Sequence, residues 1–172
     1  VLAFCFHTGR VYGTNRKTAE REYTNCVFVG FDESGNPVHA GLRGTQGFFR
    51  GNVTGSDKRH PFCIPAEKEG ASTLALYESP IDAMSDASLR IRRGAAWREQ
   101  HYLSLDGLSM LPIETFLKLH PGVTHLRICT DNDKAGREHG ARLEEEYAAW
   151  GYWVESCIPH GVKDYNELLQ KE

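Results

Sequence analysis

The second part of the chain alternates short apolar segments with amphipathic ones, and this rhythm limits the possible folds more than any other feature. Strands are predicted at LALYE (74–78), HYLSLDG (101–107), THLRICTD (124–131) and YWVESCIP (152–159). Helices are predicted at 80–93, 112–120 and 135–150, with a last helical turn or two over DYNELLQ (164–170). Such alternation with short connections indicates a parallel sheet with right-handed crossovers and helices on its faces. We therefore predict an α/β domain over residues 71–172.

The first part of the chain has the pattern of short strands and turns. NCVFVGF (25–31) is strand-like, DESGNP (32–37) is a turn cluster, and VHAGLR (38–43) alternates in polarity. We expect Phe48, Phe49 and Phe62 to be buried in the core rather than free to stack on bases. The polar, Gly-containing segment EKEGAS (67–72) is the best candidate for the boundary between two domains. The prediction is a small β-rich subdomain over residues 1–70, followed by the α/β domain.

Composition excludes several classes of protein. No window approaches the roughly 18 to 20 apolar residues of a membrane span, and VLAFCF lacks the basic leader of a signal peptide. The five cysteines are odd in number and widely spaced, which suggests neither a disulfide framework nor a zinc site of the CxxC type. The histidines show neither HxxxH nor HExxH spacing, which argues against a zinc hydrolase. We expect a cytoplasmic protein with reduced thiols.

Charge is distributed unevenly along the chain. Residues 1–70 carry nine Lys and Arg against seven Asp and Glu, whereas residues 71–172 carry eleven against sixteen. The acidic second part cannot attract a polyanion by net charge alone. If it handles phosphates, divalent cations must reverse the local field.

Carboxylates occupy the ends of three predicted strands. Glu78 closes the first strand, Asp131 and Asp133 follow the third, and Asp164 follows the last. Ligands bind at the carboxyl ends of the strands in sheets of this kind. Asp131 and Asp133 are two residues apart, so on extended backbone they face the same side, where like charges repel unless a cation intervenes. Mg²⁺ or Mn²⁺, which prefer oxygen ligands, would meet that need.

Each acid also has a structural explanation. Asp133 could cap the helix that begins near Ala135, and Asp131 could accept hydrogen bonds within a turn. Ser79 and Asp82 fit a capping box with proline at the first helical position, so Asp82 is better explained as structural than as a ligand. DNDKAG begins like a calcium loop. That loop would place Ala135 and Arg142 at ligand positions, which argues against calcium.

LALYESPIDAMS, ICTDNDKAG and HGVKDYNELL together resemble the Toprim domain, which bacterial-type primases, topoisomerases and certain nucleases share. The resemblance implies a Toprim-like (Rossmann-like), mostly parallel sheet flanked by helices, and it covers residues 71–172. The family's Glu, Gly and Asp-x-Asp correspond here to Glu78, Gly107, and Asp131 with Asp133. Lys163 and Asp164 resemble the late Lys-Asp of the primase branch. One departure is that Ser79 and Pro80 stand where primase-type members usually have Gly after the Glu.

NCVFVGFDESGNPVHAGLRGT and FRGNVTGSDKRHPF resemble the segment that precedes Toprim-like domains in proteins of bacterial mobile elements, often linked to primase or conjugative relaxase functions. The resemblance implies a role in processing plasmid or transposon DNA. Arg43, Arg50, Lys58 and Arg59 lie in or beside Gly-rich turns, where they could meet phosphates. Simple solvation of these side chains is the other explanation.

The resemblance implies Mg²⁺- or Mn²⁺-dependent nucleotidyl transfer on nucleic acid, most like that of a DNA primase. Glu78 would position or deprotonate the nucleophile, and Lys163 would offset phosphate charge. The metal would be held by the four carboxylates Glu78, Asp131, Asp133 and Asp164. The supporting residues would be Ser79, Asp82, Gly107 and Gly136.

Two alternatives stay open: a Toprim-type nuclease, and a non-catalytic nucleic-acid-binding module of a larger relaxase or primase protein. A topoisomerase would need a tyrosine nucleophile on a separate domain. The expected partners are single-stranded DNA, nucleoside triphosphates and a larger replication or conjugation assembly, without a membrane.

Overall fold

The structure, a computed structural model, describes residues 5–9 and 23–172. An antiparallel sheet occupies the amino-terminal part of the described chain, with its four strands in chain order. These strands are β1 (Cys5–Gly9), β2 (Tyr23–Phe31), β3 (Pro37–Gly44) and β4 (Arg50–Asn52). Asp32 closes the predicted turn between β2 and β3, because its Oδ1 accepts hydrogen bonds from the backbone of Ser34 and Asn36 at 2.9 and 2.8 Å. The predicted β-rich amino-terminal part is confirmed.

A second sheet of five strands follows in the described chain, in the order β5-β7-β6-β8-β9. Its strands are β5 (Cys63–Ile64), β6 (Thr73–Tyr77), β7 (His101–Ser104), β8 (His125–Ile128) and β9 (Trp153–Ser156). The helices are α1 (Pro80–Arg92), α2 (Leu111–Leu119), α3 (Lys134–Ala149) and α4 (Tyr165–Lys171). Strands β6 to β9 run parallel, and β5 is antiparallel to β7. The predicted mostly parallel sheet with flanking helices is confirmed.

Alternation along β6 shows how the second sheet builds a core on each face. Leu74 and Leu76 point to one face, where they pack with residues of α2 and α3, including Ile113 and Leu143. Ala75 and Tyr77 point to the other face and pack with residues of α1 and α4. These four side chains of β6 are fully buried. Burial on both faces is typical of a parallel sheet covered by helices.

Strand β5 lies before the predicted boundary at EKEGAS, and yet it belongs to the second sheet. Cys63 is paired with Leu103, and Ile64 with Tyr102. A side-chain hydrogen bond from Asn52 Nδ2 to Asp106 Oδ2 also joins the two sheets. The division into domains at residue 70 stays a prediction.

The prediction that Phe48 and Phe49 are buried is wrong. Phe48 is fully exposed and Phe49 is 41% exposed, whereas Phe62 packs edge to face on Phe28 with ring centroids 5.7 Å apart. The reason is position: Phe48 lies at the tip of the loop between β3 and β4, beyond the strands whose side chains pack. No helix among the described residues is long and apolar enough to cross a membrane.

Candidate metal centre at the carboxyl edge of the parallel sheet

Glu78 and Asp131 meet because their strands are neighbours. β6 and β8 pair in parallel, with Leu76 beside Ile128, so the residues that follow both strands emerge at the same edge. The backbone N–H of Asp131 donates a hydrogen bond to Glu78 Oε1 at 3.1 Å. The acidic side chain at the end of one strand therefore binds the backbone at the end of the next.

Gly136 allows the first turn of α3 to approach this pair closely. A Cβ at position 136 would overlap the carbonyl oxygen of Asp131 and would lie 2.7 Å from Glu78 Oε1. The buried hydroxyl of Thr130 donates to the carbonyl of Gly136 at 3.0 Å and holds the turn in place. A side chain larger than hydrogen would push the helix away from the carboxylates.

Asp133 and Asp164 both cap helices. Asp133 Oδ1 accepts from the backbone of Gly136 at 2.9 Å, and α3 begins one residue earlier than predicted. Asp164 Oδ1 accepts from the backbone of Glu167 at 2.7 Å at the start of α4. The capping explanation for Asp133 is confirmed. Capping uses one oxygen of each carboxylate, so it does not by itself prevent the other from binding a cation.

Lys163 reaches the acidic edge from the loop before α4. Its Nζ lies 3.3 Å from Asp131 Oδ2, although the lysine side chain is 58% exposed. Asn132 holds that loop in place: its backbone N–H donates to the carbonyl of Lys163 at 2.6 Å, and its Nδ2 donates to the carbonyls of Pro159 and Val162. Sequence reasoning missed Asn132. The one sequence feature that could have pointed to Asn132 is its position between the predicted metal ligands Asp131 and Asp133.

Ser79 caps the start of α1 as predicted, but Asp82 accepts from the Ser79 hydroxyl rather than from the Ser79 backbone N–H, so a complete capping box does not form. The backbone of Asp82 donates to Ser79 Oγ at 3.4 Å, and this hydroxyl donates to Asp82 Oδ2 at 2.5 Å. Asp82 is also buried, and its Oδ1 accepts from the backbone of Asn166 in α4 at 3.2 Å. It therefore links the two helices on one face of the sheet, behind the carboxylate edge.

The carboxylates at this edge have little positive charge nearby to balance their own negative charge. Burial, followed by the charge of Asp131, raises the pKa of Glu78 from 4.5 to about 7. Burial is also the main cause that raises the pKa of Asp82 from 3.8 to about 6. Burial raises the pKa of Asp131 too, although Lys163 acts in the opposite direction. A nearby cation would stabilise the charged form of each of these carboxylates.

Gly107 ends the loop after β7, where its N–H donates to the carbonyl of Glu78 at 3.0 Å. Its φ of 117° lies in a region that favours glycine. The preceding Asp106 accepts from Asn52 and lies 3.6 Å from Nε2 of the buried His39, and both of these residues belong to the first sheet. Sequence reasoning missed this contact between the sheets, because no local pattern links residues so far apart in the chain.

The donor chemistry fits a hard cation, but the side chains do not form a closed site. Among the described hydrogen bonds, Glu78, Asp131 and Asp133 each use one carboxylate oxygen, which leaves the other available. Oxygen donors of this kind suit Mg²⁺ and Mn²⁺. No group of three or more His, Cys, Asp or Glu side chains in the described chain stands in position to hold a metal ion. Binding would require the free oxygens to rotate towards one point.

The basic residues predicted to meet phosphates lie on the first sheet and in the loop after it. Arg43 and Arg50 face each other across β3 and β4, so their side chains share one face of the sheet. Lys58 is exposed. Arg59 instead pairs with Asp57, with Nη2 2.6 Å from Oδ2, so much of its charge is already offset.

The chain belongs to the Toprim-like family, whose model matches residues 75–169. Residues 10–69 match a family described as a protein of unknown function (DUF3991). No curated protein matches the sequence.

Three solved primase structures share the fold. The primase fragment of the bacteriophage T7 primase-helicase is 16% identical, with a TM-score of 0.62, and the match covers 87% of this chain and 59% of that structure. The Escherichia coli primase catalytic core is 18% identical, with a TM-score of 0.56, and the match covers 93% and 53%. A DnaG primase catalytic domain bound to single-stranded DNA is also 18% identical, with a TM-score of 0.59 and the same coverage. The chain thus spans less than two thirds of each structure.

Replacing Gly136 tests the close approach of α3 to the carboxylates. We expect Gly136→Ala to lower the free energy of unfolding by about 2 kcal/mol, because the new methyl group overlaps the Asp131 carbonyl. Urea denaturation measures the change. Gly122→Ala is the matched control, since a Cβ there meets no atom within 4 Å. Equal stability of the two variants would contradict the tight packing.

The raised pKa of Glu78 predicts a pH dependence of stability in metal-free buffer. Between pH 4.5 and about 7 the folded state binds more protons at Glu78 than the unfolded chain does, so the free energy of unfolding falls as pH rises. Asp82 contributes in the same direction up to about pH 6. We expect Glu78→Gln to flatten the fall above pH 6, as measured by urea denaturation. The exposed Glu138→Gln should keep the wild-type slope, and a wild-type slope in Glu78→Gln would refute the assignment.

Proposed function

We propose that this chain is part of a primase-like enzyme that carries out Mg²⁺- or Mn²⁺-dependent nucleotidyl transfer on nucleic acid. The observation that carries the proposal is the convergence of Glu78, Asp131 and Lys163 at the carboxyl edge of a Toprim-like sheet. The similar structures support the fold, and their descriptions as primases make this chemistry the first to test. A mobile-element setting, a cytoplasmic location and partners in a replication or conjugation assembly remain part of the proposal.

Each residue at the carboxyl edge of the sheet has its own role in the proposed reaction. A bound divalent ion, held by Glu78, Asp131 and Asp133 and with Asp164 nearby, would activate the attacking oxygen and offset phosphate charge. Glu78 would position a nucleotide hydroxyl or accept its proton. Its raised pKa of about 7 belongs to the metal-free protein, and a bound cation would keep the carboxylate ionised. Lys163 places an ammonium group beside Asp131, where it can orient a substrate phosphate. A nuclease would use the same groups with water as the nucleophile.

One observation favours a second candidate, a non-catalytic nucleic-acid-binding module. Asp133 and Asp164 already cap helices, and no cluster of three metal-ligating side chains stands ready among the described residues. In that case the acidic residues would only stabilise the fold and would bind no metal ion. Metal binding decides between the two candidates.

Replacing Asp131 tests the metal site. Saturating Mg²⁺ or Mn²⁺ should stabilise the wild-type protein, by about 2.7 kcal/mol at a hundredfold excess over Kd, and should raise Tm. Asp131→Asn should lose most of this gain. Its stability without metal should stay within about 1 kcal/mol of wild type, because the change removes one of the neighbouring negative charges at nearly constant shape and the lysine end of the lost ion pair is exposed. Calorimetry at several metal concentrations measures both effects.

The exposed Glu138→Gln, on α3, is the control and should respond to metal as wild type does. Equal metal-induced stabilisation of Asp131→Asn and wild type would reject the metal site. The parent protein should then be incubated with Mn²⁺, single-stranded DNA and nucleoside triphosphates. Longer oligonucleotides indicate a primase, shortened DNA indicates a nuclease, and neither product supports the non-catalytic module.

We propose that single-stranded DNA binds to a basic face, which consists of Arg43 and Arg50 on the first sheet and Lys58 in the loop after it. Neutralising Arg43, Arg50 and Lys58 to Gln should reduce the slope of log K against log salt by about 2, since each phosphate contact on a single strand contributes roughly 0.7. Fluorescence anisotropy at several salt concentrations measures the slope. Arg59→Gln is the control and should change the slope little, because Asp57 already offsets its charge. An unchanged slope in the triple variant would exclude this face.

A further inference from the structure

Cys129 and Cys157 follow the ends of two neighbouring parallel strands, β8 and β9, and lie side by side. The ladder between these strands ends with Ile128 beside Ser156. The backbone N–H of Cys157 still donates to the carbonyl of Ile128 at 2.7 Å, so the next lateral pair is Cys129 and Cys157. Neighbouring strands lie about 4.8 Å apart, and a disulfide needs Cα atoms roughly 4.4–6.8 Å apart. The backbone therefore holds the two cysteines at a distance that a disulfide can span.

The two cysteine side chains also share one face of the sheet. Arg127 is paired with Glu155, and side chains two residues apart on a strand point to the same face. Cys129 and Cys157 accordingly both lie against the core on the face that α1 and α4 cover. Cys129 is only 1% exposed, whereas Cys157 is partly buried at the margin of this core. One cysteine of the pair is thus enclosed, and the other is partly accessible to solvent.

The surroundings of Cys157 favour its thiolate, which is the nucleophilic form of cysteine. A hydrogen bond from the Cys129 thiol, followed by the charge of Arg127, lowers the pKa of Cys157, and together they outweigh burial and the charge of Glu155. Burial instead raises the pKa of Cys63 to about 12. Cys157 is therefore the better nucleophile of these two partly buried cysteines.

The strand register separates this pair from two other cysteines of the described chain. Cys26 lies in the first sheet, beside Phe6 on one side and Arg43 on the other. Cys63 lies in β5, at the opposite edge of the second sheet from β9, and is paired with Leu103. Neither pairing brings two thiols together, so oxidation of the folded protein should select Cys129 and Cys157.

We propose that Cys129 and Cys157 form a reversible redox site that hydrogen peroxide oxidises to a disulfide. The Cys157 thiolate attacks one oxygen of the peroxide, the O–O bond breaks, and hydroxide leaves as the sulfur becomes a sulfenic acid. The Cys129 thiol then attacks that sulfur, and the new S–S bond expels hydroxide. The protons lost by the two thiols convert both hydroxides to water. Neither cysteine is a proposed metal ligand, so the proposal does not depend on the proposed nucleotidyl transfer.

Oxidation of the full 172-residue chain in native buffer tests the proposal. The reduced protein is treated with hydrogen peroxide, the remaining thiols are blocked, and the peptides are mapped by mass spectrometry without reductant. The expected product is an intramolecular Cys129–Cys157 disulfide, which forms at least about tenfold faster than Cys63 is oxidised and which dithiothreitol reverses. The preference should disappear in concentrated urea, because the ladder no longer holds the pair together. Failure to form this disulfide, a main product that involves another cysteine, or an equal preference in urea would overturn the proposal.

Serine variants assign the roles of the two thiols. Cys129→Ser should leave a sulfenic acid on Cys157 that dimedone traps, whereas Cys157→Ser should slow the oxidation of Cys129 at least about tenfold. Cys63→Ser is the matched control and should form the disulfide at the wild-type rate. Circular dichroism checks that each variant is folded, and the wild-type peptide map remains decisive where one is not. No dimedone adduct on Cys157 in folded Cys129→Ser, or wild-type oxidation of Cys129 in folded Cys157→Ser, would overturn the assignment.

Discussion

The hydrogen bond from the Asp131 backbone to Glu78 Oε1 joins the ends of two neighbouring parallel strands, and the carboxylate edge is organised around it. Parallel pairing of β6 and β8 brings these two residues to one edge. The same pairing leaves Glu78 half-buried, and it also places the charge of Asp131 nearby. For these two reasons, burial first, the pKa of Glu78 rises to about 7. The surrounding residues moderate this repulsion: Lys163 approaches Asp131, and Gly136 lets the amino end of α3 come close.

The acids at this edge have structural roles that are compatible with the proposed binding of a cation. Asp133 and Asp164 begin helices, and Asp82 ties α1 to α4, so each has a structural role that would exist without any ligand. A carboxylate has two oxygens, however, and a cap occupies only one of them. The fold can thus keep Asp133 and Asp164 in fixed positions while leaving oxygen donors for a cation. This compatibility explains why capping and metal binding were hard to separate from the sequence.

Local patterns predicted the elements well because they depend on near neighbours. The helix cap that joins Ser79 to Asp82 needs residues three apart, and the double-sided burial of β6 follows from a short apolar run. Asn132 was missed because its partners lie about thirty residues further along the chain. Asn52 and Asp106 are 54 residues apart in the chain, and sequence periodicity does not predict contacts between residues so far apart. Phe48 was misplaced because apolar character alone does not show that a side chain lies at a loop tip.

The sequence by itself determined the order of strands and helices, the parallel sheet they form and the strand ends on which the acids stand, since these follow from periodicity and from the right-handed crossover. Only the tertiary structure decided which groups meet. It brought the Glu78 carboxylate to the Asp131 backbone, placed Lys163 beside Asp131, and joined Arg127 to Gln100. The physical reason is that side-chain contacts depend on how distant segments pack, and packing is a property of the whole chain.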